Sequence, residues 1–331
     1  MATQTDVNLR PLRDQLELRR QKLQEAVSKS QTAQAIQLLH EVDKALERIE
    51  LGSYGLCETC HDPIEAERLF ADPLVRFCLD HLLPAQKRAL EDDLVLAAQI
   101  QAGLLPKQDF ALGGWRVFYH YEAAGPVSGD YCDLVANNGD LYFMLGDVSG
   151  KGVAASMLMA NLHAMFRVLI PAGLPLEQLV ERASRVFCES TLPTQFATLV
   201  CGRAAPAGQV EICNAGQVPP LIIRPNEISG IETTSLPIGI FSDAQYSSTT
   251  LELGPGDSLV IYTDGVSETQ NDGGDQFGEQ QLRKLMHECR SASPKALVES
   301  CIRRLNAFQA GNQRLDDRTI MAIQFAPPAA S

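Results

Sequence analysis

Residues 145–152 read Leu-Gly-Asp-Val-Ser-Gly-Lys-Gly, LGDVSGKG. They end an apolar run, LYFML, and open into a helix-like run, VAASMLMANLHAMF. A strand, a glycine turn and a helix in this order raise the question of a phosphate-binding loop. The spacing rejects a Walker-A loop, which needs a longer spacer before its Gly-Lys pair and then Ser or Thr. Here only Asp147, Val148 and Ser149 separate Gly146 from Gly150, and Gly152 follows Lys151. A carboxylate in the loop would also repel a phosphate held by backbone N–H groups. Asp147 therefore reads either as a cation ligand or as the capping residue of a strand-turn-helix.

The pattern recurs. Ser128-Gly129-Asp130-Tyr131 precedes it; Tyr262-Thr263-Asp264-Gly265 follows the apolar strand SLVIY; Asp316-Asp317-Arg318-Thr319 leads into the last strand, RTIMAIQF. Any one of these is an ordinary turn residue. Carboxylates at four strand ends can converge on one edge of a sheet, and an all-oxygen set suits magnesium or manganese rather than zinc. Lys151, prominent in the nucleotide reading, keeps only a surface or local contact.

From about residue 92 to 325 the chain resembles the PPM-type (protein phosphatase 2C-like) serine/threonine phosphatases of the SpoIIE/RsbU branch. The pieces that carry the resemblance are LAAQIQAGLLP, PVSGDYCD, GDVSGKGVAASMLMA, FATLV, NAGQVPP, SLPIG, LVIYTDGVSE, FG and DDRT, in the family's order. The resemblance implies an α+β fold, with two stacked antiparallel β-sheets flanked by helices and a two-metal centre at one end. It implies that Asp130, Asp147, Asp264 and Asp316 are catalytic. Together with the backbone carbonyl of Val148 they would hold two Mn2+ or Mg2+, Asp147 being the candidate bridge. Asp317 competes with Asp316 for the last place. The implied chemistry is in-line attack of an activated water on phosphorus, with no covalent enzyme intermediate. His120 and His163 are the tempting general acids, but each reads more simply as structural. The implied substrate is phosphoserine or phosphothreonine on a signalling protein, an anti-sigma-factor antagonist in a partner-switching pathway. Three positions depart from the family pattern: Ser128 in a usual Gly-Gly-Asp, Gln217 where a His is usual, and Cys132 for an aromatic. Neither Ser128 nor Gly129 is an Arg that would grip the phosphate.

The first third carries a different signature, CETCHDPIEAERLFADPLVRFCLDH. Cys57 and Cys60 form one C-x-x-C turn, and Cys78 and His81 form a C-x-x-H turn. Two such turns can close a tetrahedral structural zinc site with no open position. A redox C-x-x-C is the alternative, and His61 is a worse-placed rival for the fourth ligand. The segment resembles the DksA/TraR zinc-finger family, through LERIELGSYGLCETC, the proline after Asp62, and CLDH. The family's acidic hairpin tip is missing here: residues 28–34 read SKSQTAQ. The module reads as a borrowed structural or sensing part.

Ahead of the finger, Leu9, Leu12, Leu16, Leu23 and Val27 share one helical face, and Ala35, Leu38, Val42, Ala45 and Ile49 share another. These predict a helical hairpin. The expected organisation is hairpin 1–50, finger 51–83, linker helix 84–113 ending at Gly113-Gly114, phosphatase domain 114–326 and disordered tail 327–331. The amphipathic faces of the amino-terminal and linker helices can support a homodimer.

The 331 residues carry a net charge of -13 and 45% hydrophobic residues. That balance describes a globular chain and argues against a nucleic-acid partner. The start, MATQTDVNLRPLRDQLELRR, lacks the apolar core of a secretory signal, and no apolar run is expected to cross a membrane. Most of the nine Cys stand singly in apolar runs, as Cys188, Cys201 and Cys213 do, which suits buried thiols in a reducing cytoplasm. The competing readings are a non-catalytic phosphoprotein-binding pseudophosphatase and a zinc-finger transcription regulator.

Overall fold

The computed structural model describes residues 9–29, 33–81, 84–311 and 314–326. The tail at 327–331 and part of the polar break at 28–34 lie outside the described residues. The chain divides into two compact units, Met1–Asp93 and Leu94–Ser331.

In the first unit, α1 (Leu9–Lys29) and α2 (Ala33–Glu50) pair, as their two apolar faces predict. Leu12, Leu16, Val42 and Ala45 are fully buried between them. The same small core takes in Tyr54, Ile64, Leu69, Cys57 and Cys78 of the finger, which also contains α3 (Ala66–Ala71). Helix α4 (Pro84–Leu104) spans the division between the units.

The second unit is built on two antiparallel sheets. One has the order β1 (Asp109–Leu112), β2 (Trp115–Glu122), β11 (Arg318–Phe325), β10 (Ser258–Tyr262), β7 (Leu221–Ile223), β8 (Ile228–Gly230). The other runs β3 (Asp130–Asn137), β4 (Asp140–Val148), β5 (Ala197–Ala204), β6 (Gln209–Ala215), β9 (Thr249–Glu252). In β4 the alternation of side chains decides the layering. Leu141, Phe143 and Leu145 point into a core shared with Val117, Leu259, Ile261 and Met321 of the first sheet. Tyr142 and Met144 point the other way, into a core closed by α5 (Gly152–Leu169) and α6 (Leu176–Ser190). The outer face of the first sheet is covered by α8 (Gly278–Glu288) and α9 (Pro294–Gln309), through Leu282, Met286, Leu297 and Leu305. A one-turn helix, α7 (Asp264–Ser267), follows β10. The result is two stacked sheets flanked by helices.

Two expectations need correction. Gly113 and Gly114 do not end a linker; they form the turn of the hairpin in which Asp109–Leu112 pairs with Trp115–Phe118. The sheet therefore recruits residues ahead of 114. One helical segment, Gly152–Ala172, is also long and apolar enough to cross a membrane by length and composition. In the fold its Ala155, Met159, Leu162, Met165 and Phe166 are spent on the core against β3 and α6.

Candidate metal centres

The sheets bring the four aspartate turns to one end. Asp130 opens β3 and lies directly opposite Asp147 in the β3–β4 register. Asp264 follows β10, and Asp316 and Asp317 precede β11, the next strand in that sheet. Opening the chain at Asp147 requires a sharp turn into α5, made by Gly150 and Gly152 at φ +94° and +71°. Gly265 is fixed by crowding: a Cβ there would lie 1.9 Å from the Asp317 carbonyl oxygen.

Asp130 is 1% exposed, yet its carboxylate is held. Oδ2 accepts the Thr319 hydroxyl at 2.5 Å and the Thr263 hydroxyl at 3.0 Å. Its N–H donates to Ser128 Oγ at 3.0 Å. The Ser128 backbone is gripped in turn by Gln101 of α4. Val148 places its main chain against the same loop, donating its N–H to the Gly129 carbonyl at 3.3 Å. Lys151 reaches across to Asp316 Oδ2 at 3.0 Å and donates to the Leu315 carbonyl at 2.6 Å.

The adjacent aspartates 316 and 317 have different surroundings. Asp317 is 9% exposed, and both its oxygens accept backbone N–H groups: Ala124 at 2.7 Å and Gly129 at 2.8 Å. It ties the loop before β3 to the start of β11. Asp316 faces Lys151 and a cavity.

Such crowding of like charges raises carboxyl pKa values. Burial first, and then Asp264, Asp316 and Asp317, push Asp147 up to about 7, against Lys151. Burial and Asp147 hold Asp130 well above the usual range. Burial and Asp316 raise Asp264. Lys151 offsets only part of the negative charge of the cluster, which favours a cation or protons. Its oxygens do not close on one point. Among the described residues, the only set of three or more His, Cys, Asp or Glu ligand atoms within 4.8 Å of one another lies in the finger.

His120 and His163 stand elsewhere. His120 Nε2 lies 3.5 Å from Glu122. His163 Nδ1 lies 3.4 Å from Asp133, which also receives the Arg167 fork at 2.6 and 2.8 Å. Both are structural partners of carboxylates. Gln101, Lys151, Thr263 and Thr319 were not singled out as site residues from the sequence; the two threonines do stand inside quoted motifs, TDG and DDRT.

The finger group consists of Cys57, Cys60, Cys78 and His81. Cys60 and Cys78 Sγ are 3.8 Å apart, and Cys78 Sγ is 3.2 Å from His81 Nδ1. Zn–S bonds of about 2.3 Å at tetrahedral angles place two sulfurs about 3.8 Å apart. The residues present fit zinc. His61, exposed and at φ +61°, is not in the group.

The sequence model described as Stage II sporulation protein E (SpoIIE) matches residues 137–326. The model described as prokaryotic dksA/traR C4-type zinc finger matches residues 52–80. Protein IcfG of Synechocystis is 25% identical over 261 residues, covering 70% of this chain and 41% of its own length. Phosphoserine phosphatase RsbU of Bacillus subtilis is 25% identical over 247 residues, covering 72% of this chain and 71% of its own. The chain thus spans well under half of one of these relatives. The SiaA-PP2C domain of Pseudomonas aeruginosa superposes with a TM-score of 0.65 at 18% identity, covering 73% of this chain and 99% of that domain.

Proposed function

Because the chain belongs to the SpoIIE family, we infer that it is a metal-dependent serine/threonine protein phosphatase. The observation that carries this reading is the meeting of Asp130, Asp147, Asp264 and Asp316 at one end of the stacked sheets, with Asp130 and Asp147 in direct register. The name of RsbU as a phosphoserine phosphatase supports it. The proposed ligands of two Mn2+ or Mg2+ are these four carboxylates and the Val148 carbonyl. Such ions, when bound, supply an activated water and neutralise phosphoryl oxygens. The protein's own contribution is preorganisation. Thr263 and Thr319 fix the Asp130 carboxylate. Asp317 fixes the backbone from Ala124 to Gly129. Lys151 fixes Asp316. The substrate in this reading is phosphoserine or phosphothreonine on a signalling protein, an anti-sigma-factor antagonist.

The finger residues Cys57, Cys60, Cys78 and His81 hold one structural zinc in this reading, and the amino-terminal unit acts as the regulatory input. Helix α4 supports that role, since its Gln101 grips the loop carrying Asp130. Leu90, Val95, Leu96 and Ile100 of α4 are 43–61% exposed, which supports a homodimer through this helix. Removing residues 1–83 should change basal activity or its metal requirement; unchanged kinetics would remove the input role.

The decisive assay is hydrolysis of a phosphoserine protein and of an aryl phosphate with manganese, comparing wild type with Asp147→Asn. Manganese-dependent turnover lost in the variant is the expected result. Absence of turnover in the wild type would favour a phosphoprotein-binding domain without catalysis.

A further inference from the structure

The loop before Asp130 carries no basic residue to hold a phosphate. The opposite wall of the site does. Arg314, Arg318 and Lys151 line a cavity of about 340 Å³ together with Asp316, Gly265 and Thr269. Arg314 and Arg318 also line a neighbouring cavity of about 370 Å³ that reaches Glu122.

Lys151 is matched by Asp316. Arg314 Nη1 meets Glu122 Oε1, and Arg318 Nη2 meets Glu122 Oε2 at 2.8 Å. One carboxylate therefore serves two guanidinium groups, and Glu268 is a further acid on the wall of the first cavity.

The hydrogen bonds of Arg318 do not balance. Arg318 is 2% exposed. Its Nη2 also donates to Asn306 Oδ1 at 3.2 Å. Its Nε and Nη1 are buried and meet no acceptor among the described residues. Buried donors of a charged group are rarely left without a partner, because desolvating them is costly. Glu122 ends β2, and Arg318 begins β11 directly opposite it, so the sheet register fixes the guanidinium in place. The position is preorganised for an acceptor-rich anion.

We propose that Arg318 and Arg314 form the phosphoryl-anchoring subsite of this enzyme, binding the tetrahedral oxyanion of the phosphoserine substrate or of the phosphate product beside Asp316. This deepens the phosphatase reading and rests on it for the identity of the anion. The cavity's shared wall is the reason for the assignment: Asp316 belongs to the carboxylate cluster, and the two arginines stand on the same cavity. An oxyanion there has the cation centre on one side and guanidinium donors on the other. A phosphate dianion can accept from several N–H groups at once, which suits an arginine with two unmet donors.

The test is calorimetric titration of the magnesium-loaded full chain with inorganic phosphate, paired with steady-state kinetics on an aryl phosphate. The variants are Arg314→Gln and Arg318→Lys; the second keeps the charge beside Glu122 but loses the guanidinium donors. Thermal transitions establish that each variant folds, and Arg314→Gln decides alone where Arg318→Lys does not. Loss of a charge-assisted bond predicts phosphate affinity about tenfold weaker or more, with KM rising more than kcat falls. Phosphate affinity within about twofold of wild type in the folded variants overturns the proposal. A wild type that binds no phosphate also overturns it. Arginine-dependent phosphate binding without turnover would keep the subsite and discard the phosphatase reading. Turnover with unaltered variants would do the reverse.

Discussion

Gln101 grips Ser128 from both sides. Its Nε2 donates to the Ser128 carbonyl at 2.7 Å, and its Oε1 accepts the Ser128 N–H at 3.0 Å. Both residues are buried, so the amide of α4 replaces water for that peptide unit. Two residues later comes Asp130. Replacing Gln101 by Leu leaves two buried backbone groups unpaired, a loss of about 2 kcal/mol or more. The variant should melt earlier and need more manganese for half-maximal activity. An unchanged manganese requirement at a lowered melting temperature would reduce Gln101 to a structural role.

The hydroxyls of Thr263 and Thr319 converge on one oxygen of Asp130. Thr263 directly follows β10 and Thr319 lies in β11, its neighbour in the opposite sheet, so they orient a proposed ligand without joining the set. Groups that orient metal ligands are worth about 10–100-fold in metal affinity. Thr319→Val should weaken manganese binding by that order, and Thr319→Ser should restore it. Equal binding in the valine variant, measured by metal titration, would contradict the assignment of Asp130 as a ligand.

Protons and cations compete for the cluster. Asp147 is pushed up to about 7, and Asp130 and Asp264 are also raised, each by burial first and neighbouring carboxylates second. In the unfolded chain these groups titrate near about 3.9. Between those values the folded state binds more protons at these groups, so their contribution to stability is fully present below about pH 4 and is lost as pH rises through about 7. Protein dialysed free of magnesium and manganese should therefore lose melting temperature from about pH 5 to about pH 8. Added magnesium should recover more of it at the upper end. Asp147→Asn should flatten the slope. A melting temperature that rises over this interval would show that the carboxylates are not stabilised as acids.

The reading of Asp147 as a cation residue rather than part of a nucleotide loop came from three local facts: spacing, the charge itself and the turn around it. The same local grammar exposed Asp130, Asp264 and the 316–317 pair. What stayed illegible depends on register between distant strands. Nothing local says that Thr263 and Thr319 share one partner 133 and 189 residues away. Nothing local assigns the paired aspartates either; only the fold shows that Asp317 spends both oxygens on the backbone of the loop before β3. Strand β3 was hidden for a different reason. Its first residues read as a turn motif, and it is buried on both faces, so it lacks the alternation that marks a strand. The edge strands β1, β8 and β9 are three or four residues long, too short for periodicity to show.

The finger offers the sharpest substitution. Its family is described as C4-type, yet its fourth position here is His81. In the zinc reading the other three ligand atoms come from Cys57, Cys60 and Cys78, which pack with Tyr54, Ile64 and Leu69 against Leu12, Leu16 and Val42 of α1 and α2. The finger itself has little regular structure, its α-helix being six residues long, so a metal held there would contribute to its folding. His81→Cys preserves a four-ligand set for zinc and should keep one zinc per chain. His81→Ala leaves three ligands, so zinc content and the melting transition of the first unit should both fall. The second unit, which carries its own cores, should retain its transition in either variant. Full zinc content in His81→Ala would remove His81 from the ligand set and return the fourth place to His61.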